Sequence, residues 1–272
     1  MIILLVDNKE RDLPAMVKLG EKILSKYNTR VVISNYHEVD DIFEIERKNI
    51  TSVLFSYCKK DSKTRLVYAS KSKYKVVVYD QEGANGFDCL GVANVWKKNK
   101  QLINYVDSYN FWGEKQKRAC LKTLKNKKPK RNNVIGYIRN EINLQDKSEF
   151  FFKKYVIVCT NFAFVSPRYN TNEKEIETVK RANLYGKKTM KFYKEMKTRK
   201  IKFLHDIEKL IKNNKDINFL IRPHPYEDQD EWINLTQKCK NIKITTNKNA
   251  LYQISNAKCL LHIDSITSLE AA

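Results

Sequence analysis

"IILLVDN", residues Ile2 to Asn8, sets five apolar side chains in a row and then stops at an aspartate and an asparagine. A strand with one wet face alternates apolar and polar residues. An unbroken apolar run is instead buried on both faces, as in a parallel sheet with helices packed on either side. The residues that follow keep to this pattern. Helical spacing through Met16, Leu19, Ile23 and Leu24 leads to a strand at 30–34, a helix at 39–46, a strand at 52–57, a helix at 64–70 and a strand at 75–79. Strands alternating with amphipathic helices predict βαβ units, whose chemistry collects beyond the carboxyl ends of the strands.

Further on, Asn110-Phe-Trp-Gly-Glu reads as a strand end, a glycine turn and a helix start. The Lys- and Asn-rich stretch 125–133 has linker character, and 134–139 reads as a last strand or a bridge. A second series opens with a strand at 155–160. Helical stretches at 173–197 and 201–212 lead to a strand at 219–221, a helix at 230–239 and a strand at 242–245. A helix at 251–255 and a strand at 259–262 follow, and a helix opens at Ser268. The expected architecture is α/β: a Rossmann-like domain over 1–130, a linker over 131–154 and a second Rossmann-like domain over 155–272, facing each other across a central cleft. Ser268-Leu-Glu-Ala-Ala272 opens a helix without a body or C-cap, so the second domain is expected to be truncated.

Composition narrows the class. Over 272 residues, 42% hydrophobic and 31% charged describe a globular chain with a sizeable core. No apolar run approaches the ~18 residues of a membrane span, and the amino terminus lacks the basic leader and cleavage site of a signal peptide. The six cysteines are scattered without a C-x-x-C pair, which fits reduced cytosolic thiols rather than zinc or a disulfide framework. The net charge of +21 has two readings: attraction to polyanions, or lysine-rich usage on an ordinary surface. The one dense cluster, KTLKNKKPKR at 122–131, has no interleaved aromatics for base stacking, so specific nucleic-acid binding is not expected.

Three motifs can carry chemistry. Asp80-Gln-Glu-Gly83 follows a buried strand, and Gly83 permits a sharp turn that would present Asp80 and Glu82 as general bases. The bland alternative is a turn cap and a solvated glutamate. In Arg222-Pro-His-Pro225 the prolines hold the preceding residues extended, so Arg222 and His224 project in fixed directions toward a phosphate. The alternative is a strand-ending turn with Arg222 paired to Glu227 or Asp228. In His262-Ile-Asp-Ser-Ile-Thr-Ser-Leu-Glu270 a strand end, the hydroxyls of Ser265, Thr267 and Ser268, and a helix start together suit an anion, with Glu270 suited to ribose hydroxyls. The alternative there is an ordinary N-cap. His37 and His205 read as helix residues and Cys159 as core. G-x-G-x-x-G, Walker, H-E-x-x-H and G-x-S-x-G signatures are absent.

In this order the motifs resemble those of bacterial surface carbohydrate biosynthesis proteins, glycosyltransferases of the two-Rossmann (GT-B) type. The matching residues are Asp80, Glu82 and Gly83; Trp112, Gly113, Glu114 and Gln116; Thr160, Asn161 and Phe162; Arg222–Pro225 with Glu227; and Ser265, Thr267, Glu270 and Ala271. More distantly they are similar to bacterial sialyltransferases, capsule Kdo transferases and teichoic-acid glycerophosphotransferases. The resemblance implies a metal-independent transferase without a cofactor, taking a nucleotide-sugar donor, such as a CMP-activated acidic sugar, and a glycan or lipid-linked acceptor. It implies Glu82 or Asp80 as base, and Arg222, His224, Ser265, Thr267, Ser268 and Glu270 around the donor. A cytoplasmic location, with peripheral contact at the anionic inner membrane face, goes with it. Gln81 stands where the family usually has another acid, and Asp264 adds a negative charge beside the expected phosphate site. The competing classes are a teichoic-acid-type polyol-phosphate transferase, a nucleotide-sugar 2-epimerase and a non-enzymatic polyanion binder.

Overall fold

A computed structural model of the chain describes residues 1–81, 90–124, 129–138, 154–181, 186–246 and 250–263. The chain divides into two compact units, Met1–Asn143 and Leu144–Ala272. Each is built on its own parallel sheet.

In the first unit the strands are β1 (Ile2–Val6), β2 (Val31–Asn35), β3 (Ser52–Phe55), β4 (Lys75–Tyr79), β5 (Ser108–Phe111) and β6 (Arg131–Val134). They lie in the order β2-β1-β3-β4-β5-β6, all parallel. The crossovers are α1 (Lys9–Tyr27), α2 (Val39–Ile45), α3 (Lys63–Lys71), α4 (Leu90–Lys98) and α5 (Glu114–Leu124). The opening run does what an unbroken apolar strand requires. Ile3 and Leu5 enter one core with Val53, Phe55 and Val76, while Leu4 and Val6 enter the opposite core with Ala15 and Met16 of α1. Successive side chains of a strand point to opposite faces, so both faces of β1 are dry.

Two elements depart from the sequence reading here. Residues 131–134, expected in the linker interval, are the edge strand β6, hydrogen-bonded beside β5. Their polar composition (Arg-Asn-Asn-Val) hid them, because an edge strand needs little burial. Helix α4 was not anticipated. It is anchored by the fully buried Trp96, whose ring lies 4.3 Å from Tyr109 and 5.5 Å from Phe111. Truncating such a tryptophan to alanine costs about 3–5 kcal/mol.

The second unit has β7 (Val156–Cys159), β8 (Phe219–Arg222), β9 (Ile242–Ile244) and β10 (Cys259–His262), ordered β10-β7-β8-β9 and all parallel. Its helices are α6 (Asn172–Arg181), α7 (Thr189–Asn213), α8 (Asp230–Lys238) and α9 (Ala250–Ser255). Again the strand residues part to two faces: Val158, Phe219 and Ile221 to one core, Ile157, Cys159 and Leu220 to the other. The helical break expected near 198–200 is not there; α7 runs unbroken through it. Lys200 sits on its buried side, where its ammonium donates to the Ser166 hydroxyl at 2.8 Å and pairs with Glu231. The ion pair and the hydroxyl contact let a charged residue sit on the inner side of a continuous helix.

In both sheets the chain leaves its first strand toward one side and later crosses to the other. The switch falls between β1 and β3 in the first unit and between β7 and β10 in the second. Open α/β sheets bind ligands beyond the carboxyl ends of strands at such points.

Candidate functional site

The carboxyl edge of the second sheet gathers two of the sequence motifs. Thr160 follows β7, and its backbone N–H donates to the Arg222 carbonyl of β8 at 3.1 Å. Glu227, fully buried, ties the two loops together. One carboxylate oxygen accepts from the Thr160 hydroxyl and from the Phe162 N–H, each at 2.8 Å, and the other accepts from the Trp232 indole at 3.0 Å. Both oxygens are thus engaged as acceptors. The paired backbones add to this: the Arg168 N–H donates to the Tyr226 carbonyl and the Asp228 N–H to the Ser166 carbonyl, both at 2.8 Å. The arm 222–227 is therefore fixed by its prolines, by a turn in which the Glu227 N–H donates to the His224 carbonyl at 2.8 Å, and by a buried carboxylate.

The Arg222 guanidinium donates to the Gln253 side-chain oxygen at 2.8 Å, and the Gln253 amide nitrogen donates to the Thr245 hydroxyl at 2.7 Å. Half-buried Arg222 is thus oriented by α9 and by the residue after β9, an arrangement a planar fork exploits better than an ammonium would. His224 is also half-buried, and burial holds its imidazole below the usual value of 6.5. Its Nδ1 accepts from the Tyr226 N–H at 3.2 Å, which leaves the proton of the neutral ring on Nε2. Gln253 carried no signal in the sequence, since one glutamine in a six-residue helix resembles any surface glutamine.

Beside this arm a cleft of about 330 Å³ opens in the second unit, lined by Asn161, Phe164, Tyr169, Glu175, Phe192 and Tyr226 among others. Asn161 belongs to the Thr-Asn-Phe motif and Phe164 follows it two residues on, but the tyrosines were not singled out from sequence. They are loop aromatics in a chain that holds fifteen tyrosines.

In the first unit Asp80 follows β4 and is 3% exposed. Its carboxyl accepts from the Tyr109 hydroxyl at 3.3 Å, and its carbonyl accepts from the Trp112 indole at 2.9 Å. The Trp112 N–H in turn donates to the buried Gln116 side chain at 2.7 Å. The Trp-Gly-Glu-x-Gln motif thus builds the support beneath Asp80. Burial, and then the Asp80 charge, raise the Tyr109 phenol far above its usual range and push the Cys58 thiol up to about 12. At the switch point of this sheet, burial with the neighbouring Asp7 charge pushes the Tyr57 phenol up to about 12. In sequence Asp7 reads only as the end of a strand, because a polar residue is the commonest of such endings.

Glu82 and Gly83, and Ser265, Thr267, Ser268 and Glu270, lie outside the described residues. Among the described residues no helix is long and apolar enough to cross a membrane.

No protein-family model matches the chain, and neither does any curated protein. Among solved structures the chain is similar to the UDP-N-acetylglucosamine 2-epimerase from Rickettsia bellii. The similarity covers 100% of this chain and 76% of that one, with a TM-score of 0.58 and 15% sequence identity. At that identity the likeness defines the fold: two Rossmann-like parallel sheets of the GT-B kind, matched from end to end of the chain.

Proposed function

We propose that the chain is a nucleotide-sugar-using enzyme, a glycosyltransferase of surface polysaccharide or lipopolysaccharide assembly. The observation that carries this reading is the rigid arm at the end of β8. It holds a guanidinium and an Nε2–H imidazole at the carboxyl edge of a Rossmann-like sheet, fastened by a buried carboxylate. Preorganised donors of that kind stabilise a leaving phosphate without reorganising during the reaction. In our assignment the second domain binds the donor, with Arg222 and His224 on its phosphate, Ser265, Thr267 and Ser268 completing the anion site, and Glu270 on the ribose. The first domain presents the acceptor. The acceptor hydroxyl gives its proton to a carboxylate of the Asp80–Glu82 motif while its oxygen bonds the anomeric carbon. The bond from that carbon to the phosphate oxygen breaks, and the electron pair leaves with the nucleotide. Because Asp80 is enclosed by Tyr109 and Trp112, we give the proton-accepting role to Glu82 and a positioning role to Asp80. The charge of +21 suits an acceptor linked to lipid phosphate at an anionic membrane face.

The test is a melting-temperature screen of the chain against CMP, CDP, UDP and GDP. A nucleotide at 100 times its Kd stabilises by about 2.7 kcal/mol. Selective stabilisation by one base, lost in His224→Ala, supports the reading; no response to any of the four sinks it.

A second reading, a nucleotide-sugar 2-epimerase, is favoured by the end-to-end likeness to a UDP-N-acetylglucosamine 2-epimerase. It needs no acceptor, so an isomerised donor formed without acceptor would establish it in place of transfer.

A further inference from the structure

We propose that the aromatic cleft beside the β8 arm is a binding site for a neutral pyranose ring, an inference that rests on the nucleotide-sugar reading above. The cleft encloses about 330 Å³, at the small end of the ~300–1,000 Å³ range of ligand pockets and suited to one sugar ring. Its aromatic walls are of two kinds. Phe164 and Phe192 stack at 5.9 Å between centroids, inclined by 24°, while Tyr169 and Tyr226 meet edge-on at 6.2 Å and 78°. Edge-on tyrosines leave no parallel slot for a flat nucleobase. They do offer π-faces, negative at the centre, to the weakly positive C–H faces of a puckered ring. Tyr169 and Tyr226 are 70% and 54% exposed, so each keeps ring surface for a ligand, although the Arg168 guanidinium lies over one face of Tyr169.

The polar lining points the same way. Glu175 and Asn170 are joined by a hydrogen bond of 2.9 Å, from the Asn170 amide to the Glu175 carboxylate, which sets the carboxylate's orientation. A fixed carboxylate beside amide groups accepts from neighbouring hydroxyls, as a sugar diol requires. None of the described residues lining the cleft is Lys, Arg or His, so none of these neutralises a phosphate or a sugar carboxylate, and Glu175 would repel either. The phosphate-competent groups lie alongside instead. The His224 ring is 5.6 Å from the Tyr226 ring, and the Arg168 guanidinium sits 5.2 Å over Tyr169 on the rim. The division of charge assigns phosphate to the arm and a neutral ring to the cleft, and it disfavours an acidic sugar there.

The ring could come from the donor or from the acceptor glycan, and the experiment separates the two. Saturation-transfer NMR on the full chain would use the methyl glycosides of glucose, galactose, N-acetylglucosamine and glucuronic acid, with uridine and cytidine as competitors. At least one neutral glycoside should bind and the glucuronide should not. Tyr169→Ala with Tyr226→Ala should weaken binding ~10-fold or more, as should Glu175→Gln, with ligand-free melting unchanged. Displacement of the glycoside by a nucleotide sugar assigns the ring to the donor; simultaneous binding assigns it to the acceptor. The proposal is overturned if no neutral glycoside binds, if the glucuronide binds equally well, if either nucleoside displaces the glycoside, or if the variants bind as the unmodified chain does. Glycoside binding in a chain that no nucleotide stabilises would sink the nucleotide-sugar reading and leave the ring site standing.

Discussion

The Glu227 carboxylate accepts the Thr160 hydroxyl proton at 2.8 Å across a sequence separation of 67 residues, so the loops after β7 and β8 behave as one piece. Glu227→Ala strands three buried donors at once: the Thr160 hydroxyl, the Phe162 N–H and the Trp232 indole. Each unsatisfied donor costs roughly 1–3 kcal/mol. The variant should lose on the order of 3 kcal/mol or more of the second unit's stability, read from urea unfolding. A midpoint shift worth less than ~0.5 kcal/mol would mean that the loops are held by other contacts.

His224 gives a pH dependence with a definite sign. Burial lowers its folded-state pKa below 6.5, so under acid conditions the unfolded chain binds a proton that the folded chain refuses. Its contribution to stability is therefore whole above pH 6.5 and declines as pH falls from there toward the lowered folded value. His224→Asn keeps an acceptor for the Tyr226 N–H and cannot titrate, so its stability should fall less steeply over that window. A bound phosphate acts in the opposite sense. It favours the imidazolium, so nucleotide affinity should rise from pH 8 to pH 6 relative to the Asn variant, as titration calorimetry would record. Parallel profiles for the two proteins would remove His224 from the phosphate site.

The sheets were legible in the sequence because buried parallel strands are apolar without interruption. Ile2–Val6 and Val156–Cys159 needed nothing beyond that pattern, while Cys259–His262, on the sheet edge and partly exposed, was read from its apolar run alone. Two of the misses share one cause: pairing overrode composition. Polar β6 is held by its ladder with β5, and Lys200 remains inside α7 because Ser166 and Glu231 meet its charge. At the candidate site the proline-stiffened arm could be read from its two prolines. Its fasteners could not, because Glu227 reaches Thr160, and Gln253 reaches Arg222, only after the sheet has formed. The alternative of a local Arg222 pair with Glu227 or Asp228 rested on nearness in sequence, which says little about where a buried carboxylate finds its donors.

Thiol chemistry offers a check on burial that needs no substrate. Cys58, Cys120 and Cys159 are buried, and Cys58 is held at about 12, whereas Cys259 at the start of β10 is exposed. Alkylation proceeds through the thiolate and requires access. At pH 8 iodoacetamide should therefore modify Cys259 well before these three, with peptide mass spectrometry giving the order. Early labelling of Cys58 would contradict the packing beneath β4.

The two carboxylates of the Asp80–Glu82 motif should separate under isosteric substitution. Asp80 is 3% exposed and bonded to Tyr109, so Asp80→Asn retains an acceptor for that hydroxyl and alters a charge that the core already encloses. Its effect should fall on stability and, through the turn, on activity by ~10-fold or less. Glu82→Gln removes the group we assign to the acceptor proton, and loss of a general base costs typically ~10²–10⁴ in rate. Sugar transfer by both variants, measured beside their melting temperatures, decides the matter. A loss of ~100-fold or more in Asp80→Asn at unchanged melting, with Glu82→Gln near full activity, would reverse the roles and require the enclosure of Asp80 to open when the acceptor binds.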